Sequence, residues 1–134
     1  MTADVNKVIV RRLWEEVWNN RDLVVADEIF SREYAEHEKA WLQVWCSSFP
    51  DTHFTVEDLI AEEDKVVTRF TVQATHVGTF MGIEGSGNPV TFMGIWIHRL
   101  EDGQIVEGQN WGAGDWLGLL HQMGAKIVPP QTKK

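Results

Sequence analysis

The feature that most limits the fold is a change of hydrophobic period near residue 52. Before it, apolar side chains recur at helical spacing. In DVNKVIVRRLWEEVWNN, Val5, Ile9, Leu13 and Val17 form a stripe with Val10, Trp14 and Trp18 beside it, and Asn19-Asn20 ends the helix. A shorter helix is expected over DLVVADEIF with Asp22 as N-cap. A third is expected over EKAWLQVWCSSF, where Trp41 and Trp45 share a face and the helix stops before Pro50. From residue 52 the period becomes two. THFTVEDLIA, KVVTRFTVQATHVG, PVTFMGIWIHRL and QIVEGQNW read as strands, separated by EED, EGSGN and EDG turns. A last short helix begins near Asp115 and carries Leu117, Leu119, Leu120 and Met123. Helices followed by consecutive strands with short connections predict an α+β fold around an antiparallel meander.

The strand faces carry further information. Val66, Thr68, Phe70, Val72 and Ala74 alternate with a largely polar set, so they are expected to face the helices. In the next strand both sets are apolar: Phe92, Trp96 and Leu100 on one side, Met93, Ile95 and Ile97 on the other. A sheet with helices on one face and apolar residues on the second needs another cover, and a second copy of the chain supplies it. A homodimer is therefore expected. Arg69, on the polar face, is expected to pair with a carboxylate across the sheet or the dimer interface.

Length and charge bound the rest. A chain of 134 residues, 43% hydrophobic, holds one core, and its formal charge of -8 disfavours a nucleic-acid partner. No apolar run approaches the roughly 20 residues that cross a bilayer, and MTADVNKVIVRRLW is too charged for a signal peptide, so no membrane partner and a cytoplasmic location are expected. The single cysteine, Cys46, reads as a buried, inert thiol. Neither His53 nor His76 has a partner at metal-motif spacing, so no metal is expected. Seven tryptophans against one tyrosine either fill a core or line a pocket for a flat apolar ligand.

The strings VRRLWEEVWNNRDL, YAEH, FPDTHFTVEDLIAEEDKV, ATHVGTFMGI, VTFMGIWIHRLEDGQIVE and LGLLHQMG, in this order, resemble the SnoaL-like polyketide cyclase family of the NTF2-like superfamily. The resemblance runs from about residue 6 to residue 124. It implies a cone: a curved antiparallel sheet wrapped around N-terminal helices, a short C-terminal helix, an apolar pocket, and dimerisation through the outer sheet face. It also implies a cofactor-independent ring closure, in which a proton leaves the carbon next to a carbonyl and the enolate attacks a second carbonyl.

In such cyclases an aspartate on the last strand, in a string like E-H-W-D, is the acid/base. Here the string is EGQNWGAGDWLGLL, two residues longer. With Glu107 as anchor Asn110 takes the aspartate position, and with NW matched to HW Gly112 does; neither takes a proton. Asp115 reads as the N-cap of the last helix, and Glu107 has the wrong parity to share Asn110's face. The remaining candidates for catalysis are His37, in the string matching Y-x-x-H, and His98, two residues beyond Trp96, with Asn110 as an amide donor. The family's loop after the Y-x-x-H histidine looks shortened. Trp14, Trp18, Tyr34, Trp41, Phe70, Trp96 and Trp111 are the expected pocket wall for a small hydrophobic molecule. Two readings follow: a cyclase or isomerase acting on a polyketide-like carbonyl compound, and a module of the same fold that binds such a ligand unchanged. A blander third makes the tryptophans plain core.

Overall fold

The computed structural model describes residues 2–109, 113–126 and 128. Helix α1 (Ala3–Arg12) runs directly into a π-helical segment (Leu13–Asn19), followed by α2 (Leu23–Ile29) and α3 (Arg32–Ser48). The strands β1 (His53–Glu62), β2 (Lys65–Thr75), β3 (Pro89–Glu101) and β4 (Gln104–Gln109) precede α4 (Trp116–Gln122). The sheet order is β1-β2-β3-β4, antiparallel throughout, so the expected α+β meander is what the chain forms. Register shifts at Val56/Asp58 and at Arg99/Leu100 add the extra residues that bend a sheet, and its concave face closes on the helices.

Strand parity decides that face. Val66, Thr68, Phe70, Val72 and Ala74 are all buried, as are Phe92, His98 and Leu100 of β3. Gly94, between Phe92 and Trp96, has no side chain, and the Phe70 ring lies where one would be. On the convex face Arg69 pairs with Asp58 at 2.7 Å and Arg99 with Glu107 at 3.4 Å. Ile60, Met93 and Ile95 lie open on the same face.

Two local features depart from the expectations. The first helix is not uniform: over LWEEVWN it widens to π geometry, and Leu13, Trp14, Val17 and Trp18 are all buried. Hydrophobic spacing of three and four does not separate α from π geometry over seven residues, which is why the sequence reads as one helix. The third helix begins earlier than expected. Ser31 caps it, accepting from the Tyr34 N–H at 3.4 Å, so YAEH lies inside the helix and no loop separates His37 from it. The other caps are where the sequence puts them: Asp22 accepts from Val24 and Val25 N–H at 3.1 Å, and Asp115 from Gly118 N–H at 2.9 Å.

Candidate functional site

A narrow cleft, with a cavity volume of about 30 Å³, lies between the π-helical segment, α3 and the concave face of the sheet. Trp14 and Trp18 enter it from the π-helical segment, Trp41 and Trp45 from α3, Trp96 from β3 and Trp116 from α4. Phe54, Phe70, Val72 and Phe92 form its floor. Three of the indole N–H groups are tied down. Trp14 Nε1 donates to Thr68 Oγ1 at 3.2 Å, Trp45 Nε1 to Thr52 Oγ1 at 2.8 Å, and Trp18 Nε1 to Glu38 Oε1 at 2.8 Å. Fixed rings present flat apolar surface at little entropic cost to a ligand.

Among the described residues Glu38 is the one charged side chain in this wall, and it is 5% exposed. Its position follows from the early start of α3. Tyr34, Glu38, Trp41, Leu42 and Trp45 fall on one helical face at spacings of three and four, and that face meets the π-helical segment and the sheet. Burial raises the Glu38 carboxyl above its ordinary value, opposed by the Trp18 hydrogen bond. The Tyr34 hydroxyl is also held above its ordinary range, first by burial and then by the Glu38 charge. A carboxyl in an aromatic cleft, with a raised pKa and one oxygen fixed by a donor, is suited to taking a proton from a weakly acidic carbon and returning it.

The structure sorts the expected residues. Trp14, Trp18, Trp41, Phe70 and Trp96 all line the cleft. Tyr34 stands behind that wall rather than in it. His37 is exposed on α3, its ring 5.7 Å from that of Tyr34, so the inward position expected of it belongs to its neighbour Glu38. The helix explains the exchange: consecutive residues point about 100° apart, and a continuous α3 turns 38 inward and 37 outward. His98 is buried between Trp14 and Trp96, at ring distances of 5.9 and 6.1 Å, and burial pushes its imidazole down to about 3. Such an imidazole stays neutral through the working range and is too weak a base for the role expected of it. Asn110 and Trp111 lie outside the described residues. Glu107 turns away from the cleft, as its parity requires, and Asp115 is occupied as a cap. Burial raises the Cys46 thiol, which keeps it unreactive. Among the described residues no group of three or more His, Cys, Asp or Glu side chains is placed to hold a metal, and no helix is long and apolar enough to cross a membrane.

Sequence reasoning passed over Glu38 because a charge inside an apolar stripe ordinarily marks the solvated flank. Glu38 is the first residue of the helix expected from the sequence, where a carboxylate is ordinarily solvated; the cap at Ser31 places it in the helix interior instead.

With this geometry in hand, the chain can be set against known proteins. The family model for the SnoaL-like polyketide cyclases matches residues 8–123. No curated protein sequence matches the chain. Among solved structures, TsrD from Streptomyces laurentii superposes with a TM-score of 0.84 at 27% identity, over 94% of this chain and 99% of that one. AclR from Streptomyces galilaeus, a provisionally assigned hydroxylase, gives 0.79 at 28% identity over 92% and 98%. IdmH from Streptomyces antibioticus, a provisionally assigned polyketide cyclase, gives 0.75 at 26% identity over 90% and 99%.

Proposed function

The chain belongs to the SnoaL-like polyketide cyclase family, and on that premise we propose a cofactor-independent cyclase or isomerase acting on a hydrophobic, carbonyl-bearing small molecule, with Glu38 as the proton acceptor. The family supports a cyclase-type reaction. The observation that carries the finer reading is the buried Glu38 carboxylate in an otherwise aromatic cleft, hydrogen-bonded by Trp18 at 2.8 Å. Trp18 donates to Oε1, and the Tyr34 hydroxyl beside the carboxyl opposes the rise of its pKa as well. In the step proposed, Glu38 takes a proton from the carbon beside a carbonyl as the C–H bond breaks. The enolate then either forms a C–C bond to a second carbonyl, whose alkoxide takes the proton from Glu38, or is reprotonated at another carbon. Burial strengthens the base, since the charge it must carry is poorly solvated until the proton arrives.

The cofactor-free chemistry relocates the acid/base from the last strand to α3. A chain with Asn110 or Gly112 at the usual aspartate position still has a carboxyl in its cleft. The alternative, a module that binds the ligand unchanged, is favoured by that same substitution and by the tight aromatic lining. A single-turnover reaction with excess protein over an anthraquinone-type polyketide ester separates the two. A product of unchanged mass and altered absorbance, lost in Glu38→Gln and kept in His37→Ala, is the expected result. Recovery of unaltered ester from a complex with quenched tryptophan emission would establish the binding module instead.

A homodimer belongs to the same proposal. Ile60, Val67 and Ile97 are in register across three strands of the convex face, with Ile95 and Met93 beside them; Ile60 is 63% exposed and Met93 49%. A second copy laid face to face removes this patch from water without touching the cleft.

A further inference from the structure

We infer that a groove outside Trp41 and Trp116 holds the flat, uncharged body of the ligand whose reacting end enters the cleft. The inference deepens the proposed function and rests on it for what happens at Glu38; the groove itself is argued from other residues. The cleft alone is too small for the task. Its 30 Å³ or so holds little more than a water molecule, whereas an apolar cavity that takes a benzene ring measures roughly 150 Å³. Most of a ring-bearing ligand must therefore lie elsewhere, and its reacting end must push part of the cleft wall aside.

The space for it adjoins the cleft. A groove of about 560 Å³ lies between the C-terminal half of α3, residues 79–81 and the start of α4, within the roughly 300–1,000 Å³ usual for small-molecule sites. Trp41 and Trp116 line both spaces, so these two indoles are the partition between them. Both are half-buried, whereas Trp14, Trp18 and Trp45 are buried and hydrogen-bonded. The backbone beside Trp116 is fixed at both ends of α4. Asp115 N–H donates to Met93 O at 2.9 Å, and the Gln122 side chain accepts from Thr91 N–H at 2.6 Å and donates to Thr91 O at 2.9 Å. Opening the partition is thus a rotation of indole side chains, with the helix left in place.

The groove's chemistry selects its occupant. Among the described residues none that lines it is charged, in a chain whose formal charge is -8. Val44 and Met81 line it while 54% and 67% exposed, which puts apolar side chains on its rim. Met81 is also an unusual residue for its place. It and Gly82 are the central residues of the tight turn Phe80–Ile83, with φ of 51° and 78°, where Asn-Gly or Asp-Gly is the favoured pair. The turn has no need of a methionine, but a flexible thioether on the edge of a groove suits an apolar ligand. The segment is held ready: Ser48 Oγ donates to Thr79 O at 2.7 Å, and Phe80 packs on Trp45 and Phe49 at ring distances of 5.3 and 5.2 Å. A neutral fused-ring body therefore meets indole, thioether and aliphatic surface already in position, and loses no ion hydration on entering.

The test uses two ketones of one outline: 2-acetylnaphthalene, and 6-acetyl-2-naphthoate, which carries a carboxylate at the end away from the acetyl group. Equilibrium dialysis of the full chain gives the ratio of their affinities, and the unaltered protein is expected to favour the uncharged ketone. Met81→Lys and Val44→Lys each put a cation on the rim. Each is expected to shift the ratio toward the naphthoate by about threefold or more, a gain that loss of folding does not produce. Val24→Lys, at an exposed position on α2, makes the same change of net charge and should leave the ratio within about 1.5-fold. An unchanged ratio in both rim variants overturns the groove, as does an equal shift in Val24→Lys or a preference for the naphthoate in the unaltered protein. The shift caused by Met81→Lys should persist when Glu38→Gln is added. Loss of proton transfer alone thus bears on Glu38, and loss of the shift alone on the groove.

Discussion

Replacing His98 with leucine should flatten the acid limb of this protein's stability curve. The imidazole is buried between Trp14 and Trp96, and burial moves it from 6.5 to about 3 on folding. Between those two values the unfolded chain binds a proton that the folded chain does not, so stability rises with pH through the window and levels off above it. At about 1.36 kcal/mol per pH unit, the full window is worth about 5 kcal/mol, a large part of the stability of a domain this size. Glu38 acts in the opposite sense. Its folded value is raised above the ordinary 4.5, so its contribution lowers stability as pH climbs from there through its folded value. The difference between the parent and His98→Leu at each pH cancels the Glu38 contribution and leaves the imidazole's. Leucine is similar in size and removes the unpartnered Nδ1. Urea unfolding followed by tryptophan emission, repeated from about pH 4 to about pH 7, should show the parent gaining on the variant by roughly 1 kcal/mol per pH unit up to about pH 6.5. Parallel curves would mean that His98 is protonated in the folded chain, and the description of its environment would fail.

Other substitutions bear on separate parts of the structure. Trp18→Phe removes the donor to Glu38 Oε1 and should cost about 1–3 kcal/mol by urea unfolding, while shifting the alkaline-going limb of any pH–rate profile upward because the carboxyl loses the bond that lowers its pKa. Gly108→Ala puts a methyl group against Tyr34, Trp96 and His98 and should destabilise by about 1–3 kcal/mol, visible as a lower urea midpoint with an unchanged slope. Ile95→Lys on the convex face should turn a dimer into a monomer by light scattering at micromolar concentration with secondary structure retained; a monomeric parent would remove the proposed interface.

What could be read from the sequence follows from which signals are local. Alternation in β2 assigned Val66, Phe70 and Val72 inward without ambiguity, because a strand has two faces and only one was apolar. Asp22 and Asp115 were legible as caps for the same reason: each bonds an N–H two or three residues ahead. Trp14, Trp18, Trp41 and Trp96 were legible as pocket wall from their helical and strand faces, whereas Trp45 and Trp116, which also line the cleft, were not. Glu38 was not. Its burial depends on Trp18 crossing from the π-helical segment to meet it, a contact twenty residues apart that no periodicity encodes. The resemblance of YAEH to a family string also drew attention to His37, one residue from the side chain that faces the cleft. His98 was placed on the correct face, but its depth, and with it the loss of basicity, comes from packing against Trp14 and Trp96 that only the folded chain brings together.

The central claim is that Glu38 moves protons on a ligand in the aromatic cleft, and exchange at an activated C–H bond tests it without requiring ring closure. Proton NMR of 2-tetralone in deuterated buffer gives the rate at which its α-hydrogens are replaced, with and without protein. The parent should accelerate the exchange, Glu38→Gln should lose about a hundredfold or more of that acceleration, and His37→Ala should keep it. Equal acceleration by the parent and Glu38→Gln, or none by either, would contradict the assignment of Glu38 as the base.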